Sequence, residues 1–83
     1  MTATPIPLSQ TTAGQRVRVS QIDAGQSLTA RLSAMGLTPG VPVDVITVSG
    51  GPIVLQVLGS RLALGRGMAK KVLVRVTGKT PEK

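Results

Sequence analysis

The spacing of hydrophobic residues changes from a helical period to strict alternation near residue 36. Leu28, Leu32 and Met35 fall at i, i+4 and i+7, which is the spacing of one face of a helix. This spacing predicts a short helix over 28–35, with Ser27 as its N-cap residue. After residue 40 the chain is rich in Val and Ile that alternate with other residues, a pattern typical of strands.

The end of the predicted helix carries the strongest local signals. Gly36 follows the last helical residue, where only glycine enters the left-handed region without a steric cost. We expect Leu37 to fold back on Leu32 and complete a Schellman-type helix end. Thr38-Pro39-Gly40 predicts a type II turn, because proline presets φ at the second position and glycine accepts a positive φ at the third.

Alternating hydrophobic residues predict five strands, over 16–20, 41–48, 53–58, 61–64 and 71–76. The alternation slips between Val45 and Ile46, which indicates a β-bulge. The sequence Ser-Gly-Gly-Pro at 49–52 predicts a hairpin, and Gly59 and Ser60 predict a second tight connection. Residues 65–70 fit a single helical turn. Short strands joined by tight turns predict an all-β fold with one short helix, a small closed barrel of five to six strands.

The length of 83 residues allows one domain with one small core. We assign residues 1–7 to an extended N-terminal segment, with an edge strand near Leu8, because two prolines favour extended backbone. Residues 8–76 form the barrel domain. Residues 77–83 are polar and are expected to be a flexible C-terminal tail.

The side chains that most enzymes use are scarce in this chain. Cys and His are absent, which excludes disulfides, thiolate and imidazole metal ligands, and nucleophilic catalysis by Cys or by a Ser–His pair. The acidic residues are Asp23, Asp44 and Glu82. Asp23 and Asp44 either share a hard cation or are solvated residues of turns and strands. We predict no enzymatic activity, no catalytic residues, no cofactor and no metal site.

The net charge is +7, from ten basic and three acidic residues. It indicates an acidic partner, a nucleic acid or an anionic lipid surface, or else it serves only solubility. Arg61, Arg66, Lys70 and Lys71 form a basic cluster that is either a solvated face or a contact for an acidic protein. No aromatic residue is present on which bases could stack, so no specific nucleic-acid binding is expected. Without a long apolar run or a signal-peptide pattern, we expect a cytoplasmic protein with no direct membrane insertion.

The predicted helix edge is the second candidate surface. Arg31, Leu32, Met35 and Leu37 either pack on the barrel or leave an apolar anchor with a charged rim for a partner. We predict these four residues and the basic cluster as partner-binding residues. Unpaired strand edges also allow a homo-oligomer.

The chain combines RLSAMGLTPG, SGGPI and RLALGRGMA between about Leu8 and Val76, and this joint pattern resembles the FeoA family of small accessory proteins of ferrous iron transport. The resemblance implies an SH3-like barrel and a cytosolic accessory role without catalytic residues. It also implies a partner, the large GTP-binding membrane protein FeoB of the same transport system. The chain departs from the family at Ala34, where an acidic residue is common, and in the tail after Val76.

Three hypotheses for the function follow. The first is a non-enzymatic accessory or regulatory protein of ferrous iron uptake that acts by protein–protein interaction with FeoB. The second is a small basic nucleic-acid-binding module, or the FeoA-like domain of a metal-dependent regulator. The third, a direct iron carrier, is disfavoured because ferrous iron prefers imidazole and carboxylate ligands.

Overall fold

The computed structural model describes residues 4–79, which form one antiparallel sheet with two helices. The sheet has the strand order β1-β6-β2-β3-β4-β5. This arrangement confirms the predicted all-β class with one short helix, α2 being a single turn. The elements are β1 Ile6–Pro7, a 3₁₀ turn Leu8–Gln10, β2 Gln15–Ile22, α1 Gln26–Ala34, β3 Pro42–Thr47, β4 Ile53–Val57, β5 Ser60–Leu64, α2 Arg66–Ala69 and β6 Val72–Lys79.

Helix α1 begins two residues earlier than predicted. Its N-cap is Gly25, an extended residue with φ −68° and ψ 172°, and Ser27 lies within the first turn. The prediction of Ser27 as the cap is therefore wrong. The Thr29 N–H donates to the Gly25 carbonyl at 3.0 Å, which closes the first turn. Glycine is itself an accepted N-cap residue, so the helix can start before the serine.

The C-terminal end of α1 has the predicted Schellman geometry. The Leu37 N–H donates to the Leu32 carbonyl at 3.0 Å, and the Gly36 N–H donates to the Ser33 carbonyl at 2.9 Å. Gly36 has φ +96°, a conformation that glycine adopts without strain. These two bonds satisfy carbonyls that the helix leaves without partners and direct the chain into the sheet.

The type II turn and the β-bulge are also where the sequence predicts them. Gly40 has φ +92°, and the Val41 N–H donates to the Thr38 carbonyl at 3.1 Å. The register of β3 against β4 shifts between Val45 and Thr47. Strands β2 to β5 agree with the predicted ranges within two residues at each end.

Both termini of the barrel domain differ from the prediction. β6 continues to Lys79, which lies opposite Gln15, so residues 77–79 belong to the sheet and not to a flexible tail. The edge strand predicted near Leu8 is present as β1, but it lies within residues 1–7, which were assigned to a segment outside the barrel; Leu8 itself begins the 3₁₀ turn and is buried. Residues 1–3 of the predicted N-terminal segment and 80–83 of the predicted tail lie outside the described residues.

A single aliphatic core holds the sheet and α1 together. The strand order leaves β1 and β5 as edges without hydrogen bonds between them, so the sheet is not closed by strand pairing. Contacts between α2 and the 3₁₀ turn bridge this gap. The buried hydrophobic side chains are Leu8, Val17, Val19, Leu32, Leu37, Val43, Val45, Ile53, Leu55, Val57, Leu64, Ala69, Val72 and Val74.

Candidate functional site

The four predicted helix-edge residues divide into two buried and two exposed ones. Leu32 and Leu37 are 0% exposed and belong to the core, whereas Arg31 is exposed and Met35 is 37% exposed. The expectation that Leu32 and Leu37 offer an apolar anchor is corrected, because the helix end buries both side chains. Leu32→Gln would place an amide in the aliphatic core, so this variant would report on folding and not on binding.

Strand β5 separates Arg61 from the rest of the predicted basic cluster. Arg61 lies opposite Gln56 near the start of β5, and Arg66 begins α2 beyond the other end of that strand. The strand residues between them span about 10 Å. The Arg66 guanidinium donates to the Val48 carbonyl in the loop between β3 and β4. The two arginines therefore lie at opposite ends of the β4–β5 hairpin.

The remaining basic residues of the cluster are neighbours. The Lys70 N–H donates to the Arg66 carbonyl at 3.0 Å, so these residues lie one helical turn apart. Lys71 follows directly, and its carbonyl accepts a hydrogen bond from the Asp23 N–H at 2.7 Å. All three basic side chains are exposed. The structure thus keeps a basic group of three residues around α2.

A row of polar side chains crosses four strands. The register places Arg16 opposite Asp44, Asp44 opposite Gln56, and Gln56 opposite Arg61. Arg16 binds Asp44 in a bidentate way, with Nε to Oδ1 at 2.7 Å and Nη2 to Oδ2 at 3.2 Å. The hydrogen bond to Asp44 and its negative charge raise the pKa of Arg16, so the guanidinium remains a cation.

The β4–β5 hairpin turn differs from the prediction by one residue. β4 ends at Val57, which pairs with Ser60, so the two-residue turn consists of Leu58 and Gly59. Leu58 has φ +52° and its side chain is 74% exposed. The predicted strand 53–58 includes Leu58, and no local pattern indicates the register that ends β4 at Val57.

An open groove of about 260 Å³ lies between this turn and the polar row. The ion pair of Arg16 and Asp44 already engages its charged groups. The groove therefore suits contact with another molecule better than acid–base chemistry. Its lining residues are Arg16, Pro42, Asp44, Gln56, Leu58 and Gly59.

A pair of basic residues that the sequence analysis does not predict lies across β2 and β6. The register places Arg18 directly opposite Arg75. Like charges in this position destabilise a sheet unless neighbouring groups compensate them. Arg18 Nη1 donates to the Gly40 carbonyl at 2.6 Å, and Arg75 Nη1 donates to Ser20 Oγ at 3.1 Å.

The two acidic residues within 4–79 do not meet. Asp23 follows the end of β2, whereas Asp44 pairs with Arg16 near the start of that strand, on the order of 20 Å away along it. The alternative that they share a cation is therefore wrong. No group of three or more acidic, His or Cys side chains with metal-binding geometry occurs among the described residues. No helix of that part of the chain is long and apolar enough to cross a membrane.

Comparison with known proteins gives consistent results. The family model of the FeoA domain matches residues 6–76. "Putative Fe(2+) transport protein A" of Methanocaldococcus jannaschii is 40% identical over 68 residues, which cover 82% of this chain and 83% of that protein. The crystal structure of an iron uptake regulatory protein (FeoA) superposes with a TM-score of 0.83 at 39% identity, covering 89% of this chain and 99% of that one.

Larger proteins contain the same fold. The crystal structure of IdeR from T. acidophilum superposes with a TM-score of 0.82 at 18% identity, covering 90% of this chain but only 35% of that one. At this identity the likeness shows the fold alone. The family match and the two closer relatives support the resemblance read from the sequence motifs and its SH3-like barrel. This chain belongs to the FeoA family.

Proposed function

We propose that this protein is a non-enzymatic cytoplasmic accessory protein of ferrous iron uptake that acts by binding the GTP-binding membrane transporter FeoB. The observation that carries the proposal is the 40% identity, over 82% of the chain, to a relative named for Fe(2+) transport. Members of this family are expected to act through a partner, because their fold contributes surface and not reactive groups.

The described surface supports binding over catalysis. The groove beside the hairpin holds a carboxylate that already forms a bidentate pair with Arg16, and the pKa of Arg16 is raised, so this guanidinium does not exchange protons near neutral pH. Exposed basic side chains include Arg31 at the helix edge, Arg61 on β5 and the group of three around α2. Such groups steer a protein toward an acidic surface and accelerate association.

Deletion of the protein in its native organism tests the proposal. We expect ferrous iron uptake by anaerobic cells to fall and to recover when the intact chain is supplied. The transporter should co-purify with the tagged protein from solubilised membranes, and repeating the purification with and without guanine nucleotide tests whether nucleotide controls binding. Unchanged uptake together with no co-purified transporter would reject the proposal.

Nucleic-acid binding is the second candidate, favoured by the net charge of +7. Within the described residues α1 has nine residues and α2 only four, so no pair of helices resembles a helix-turn-helix reader. Titration of random duplex DNA separates the two functions. Sub-micromolar binding at physiological salt with a steep salt dependence would favour the second candidate, and only weak binding that salt abolishes fits the first.

A further inference from the structure

Within residues 4–79, two large hydrophobic side chains are exposed, Met35 and Leu58. They come from distant parts of the sequence, but the structure brings them to one place. Met35 directly precedes Gly36, and a Cβ atom built on Gly36 would lie 3.5 Å from Leu58 Cδ1. The end of α1 therefore lies close to the tip of the β4–β5 hairpin, and we call the two exposed residues Met35 and Leu58 the helix–hairpin patch.

Leu58 is an unfavourable residue for its position in the fold. It has φ +52° in a two-residue hairpin turn, where Asn, Asp or Gly is preferred because a Cβ crowds the backbone. Burial does not compensate for this strain, since 74% of the side chain is exposed. Strained residues of this kind cluster at binding sites, where the strain serves recognition and not stability.

The surroundings of the patch match the layout of a protein-binding hot spot. An open groove with a polar wall, which includes Gln56 and the pair of Arg16 and Asp44, begins beside Leu58. Binding hot spots typically combine an apolar anchor with a rim of polar groups that exclude water. Leu58 occupies the anchor position of such an arrangement.

The charges beside the patch indicate an acidic partner. Arg31 lies one helical turn before Met35, and Arg61 lies three residues after Leu58, opposite Gln56 of the groove. Both arginines are exposed and neither has an ion-pair partner within residues 4–79. A second copy of this chain would bring the same cations face to face and would add another net charge of +7.

We infer that Leu58, supported by Met35, is the apolar anchor of a docking surface for an acidic protein partner. The partner surface it fits is an apolar pocket surrounded by carboxylates that face Arg31 and Arg61. This inference rests on the proposed function, under which that surface belongs to the transporter.

Leu58→Asn is the decisive variant. Asparagine tolerates the left-handed conformation better than leucine, so the variant should fold at least as well as the parent while it loses the apolar anchor. Gly50→Asn is the matched control: it introduces the same residue at φ +75° in the β3–β4 loop, where a Cβ meets nothing within 4 Å. Gly50 lies beyond the other end of β4, away from the helix–hairpin patch.

Binding of each purified variant to the detergent-purified transporter of the same organism is measured by biolayer interferometry. We expect Leu58→Asn to weaken binding about 30-fold, mainly through faster dissociation, and Gly50→Asn to leave it unchanged. Arg31→Glu combined with Arg61→Glu should slow association, and high salt should remove the difference in association rate between this variant and the parent.

Each contrary result identifies a different error. If the parent binds and Leu58→Asn binds equally well, the docking surface is elsewhere and only this inference fails. If the parent does not bind the transporter at all, the proposed function fails and this inference with it. If sedimentation shows that Leu58→Asn converts a dimer into a monomer, a second copy of the chain covers the patch and the acidic partner is rejected.

Discussion

Gly36→Ala measures how strongly the end of α1 depends on the absence of a side chain. Gly36 has φ +96°, and a residue with a Cβ pays about 1–2 kcal/mol for a left-handed conformation. The added Cβ would lie 3.3 Å from Val57 Cγ1, a core atom that must shift by a few tenths of an ångström. Overpacking of this kind costs about 1 kcal/mol at the low end of its range. The free energy of unfolding should therefore fall by about 2–3 kcal/mol.

Gly40→Ala is the matched control for this substitution. Gly40 has a nearly identical φ of +92°, but a Cβ there meets nothing within 4 Å. The free energy of unfolding of Gly40→Ala should therefore fall only by the conformational cost of a left-handed residue, about 1–2 kcal/mol. The difference between the two variants isolates the contact with Val57. Val57 is itself a core residue, so Val57→Ala destabilises on its own, but the loss for the double variant should be smaller than the sum of the two single losses by about that difference.

Far-UV circular dichroism is the appropriate assay, because the chain has no aromatic residue for fluorescence or near-UV signals. In a domain of this size the Gly36→Ala melting temperature should fall by about 10–20 °C. An unchanged melting temperature would mean that Gly36 is not left-handed in solution. Equal losses for the two glycines, with additive effects of Gly36→Ala and Val57→Ala, would show that the helix end and the hairpin do not approach closely.

Three further predictions concern the surface. Leu58→Asn should raise the melting temperature by a few degrees, because it relieves about 1 kcal/mol of backbone strain; a lower value in thermal unfolding would contradict the turn geometry. Anaerobic calorimetry should find no ferrous iron site tighter than millimolar. A stoichiometric micromolar site would contradict this prediction, and Asp23→Asn and Asp44→Asn would then test whether these carboxylates are its ligands. Arg61→Glu with Lys71→Glu should preserve the circular dichroism spectrum and slow association with the transporter in a salt-dependent way, so an unchanged association rate would count against steering.

The sequence predicts local structure most accurately at positions where a single physical reason explains the residue type. Gly36 and Gly40 both adopt positive φ, and the bulge in β3 falls where the alternation slips, because backbone sterics and side-chain periodicity act locally. The start of α1 was predicted two residues too late, since Gly25 and Ser27 are both acceptable N-cap residues. The choice between them depends on how α1 packs on the sheet, which no local pattern contains.

The candidate surface could not be predicted from local patterns, because it depends on register between strands. Arg16 and Asp44 are 28 residues apart in sequence but directly opposite in the sheet. Arg61 and Arg66 are five residues apart, but a strand carries them to opposite ends of a hairpin. Leu58 was misplaced for the same reason, since the pairing of Val57 with Ser60 decides where β4 ends.

Gly36 contributes both to the stability of the fold and to the proposed binding surface. The missing side chain of Gly36 allows the hairpin to approach the end of α1, so that Val57 belongs to the core and Leu58 lies close to the helix end. A side chain at this position would push the hairpin outward and alter the core and the helix–hairpin patch together. Gly36→Ala should therefore weaken both folding and transporter binding, whereas Leu58→Asn should weaken binding alone. A Gly36→Ala protein that is destabilised but, well below its melting temperature, binds the transporter as tightly as the parent would show that the partner does not use this patch.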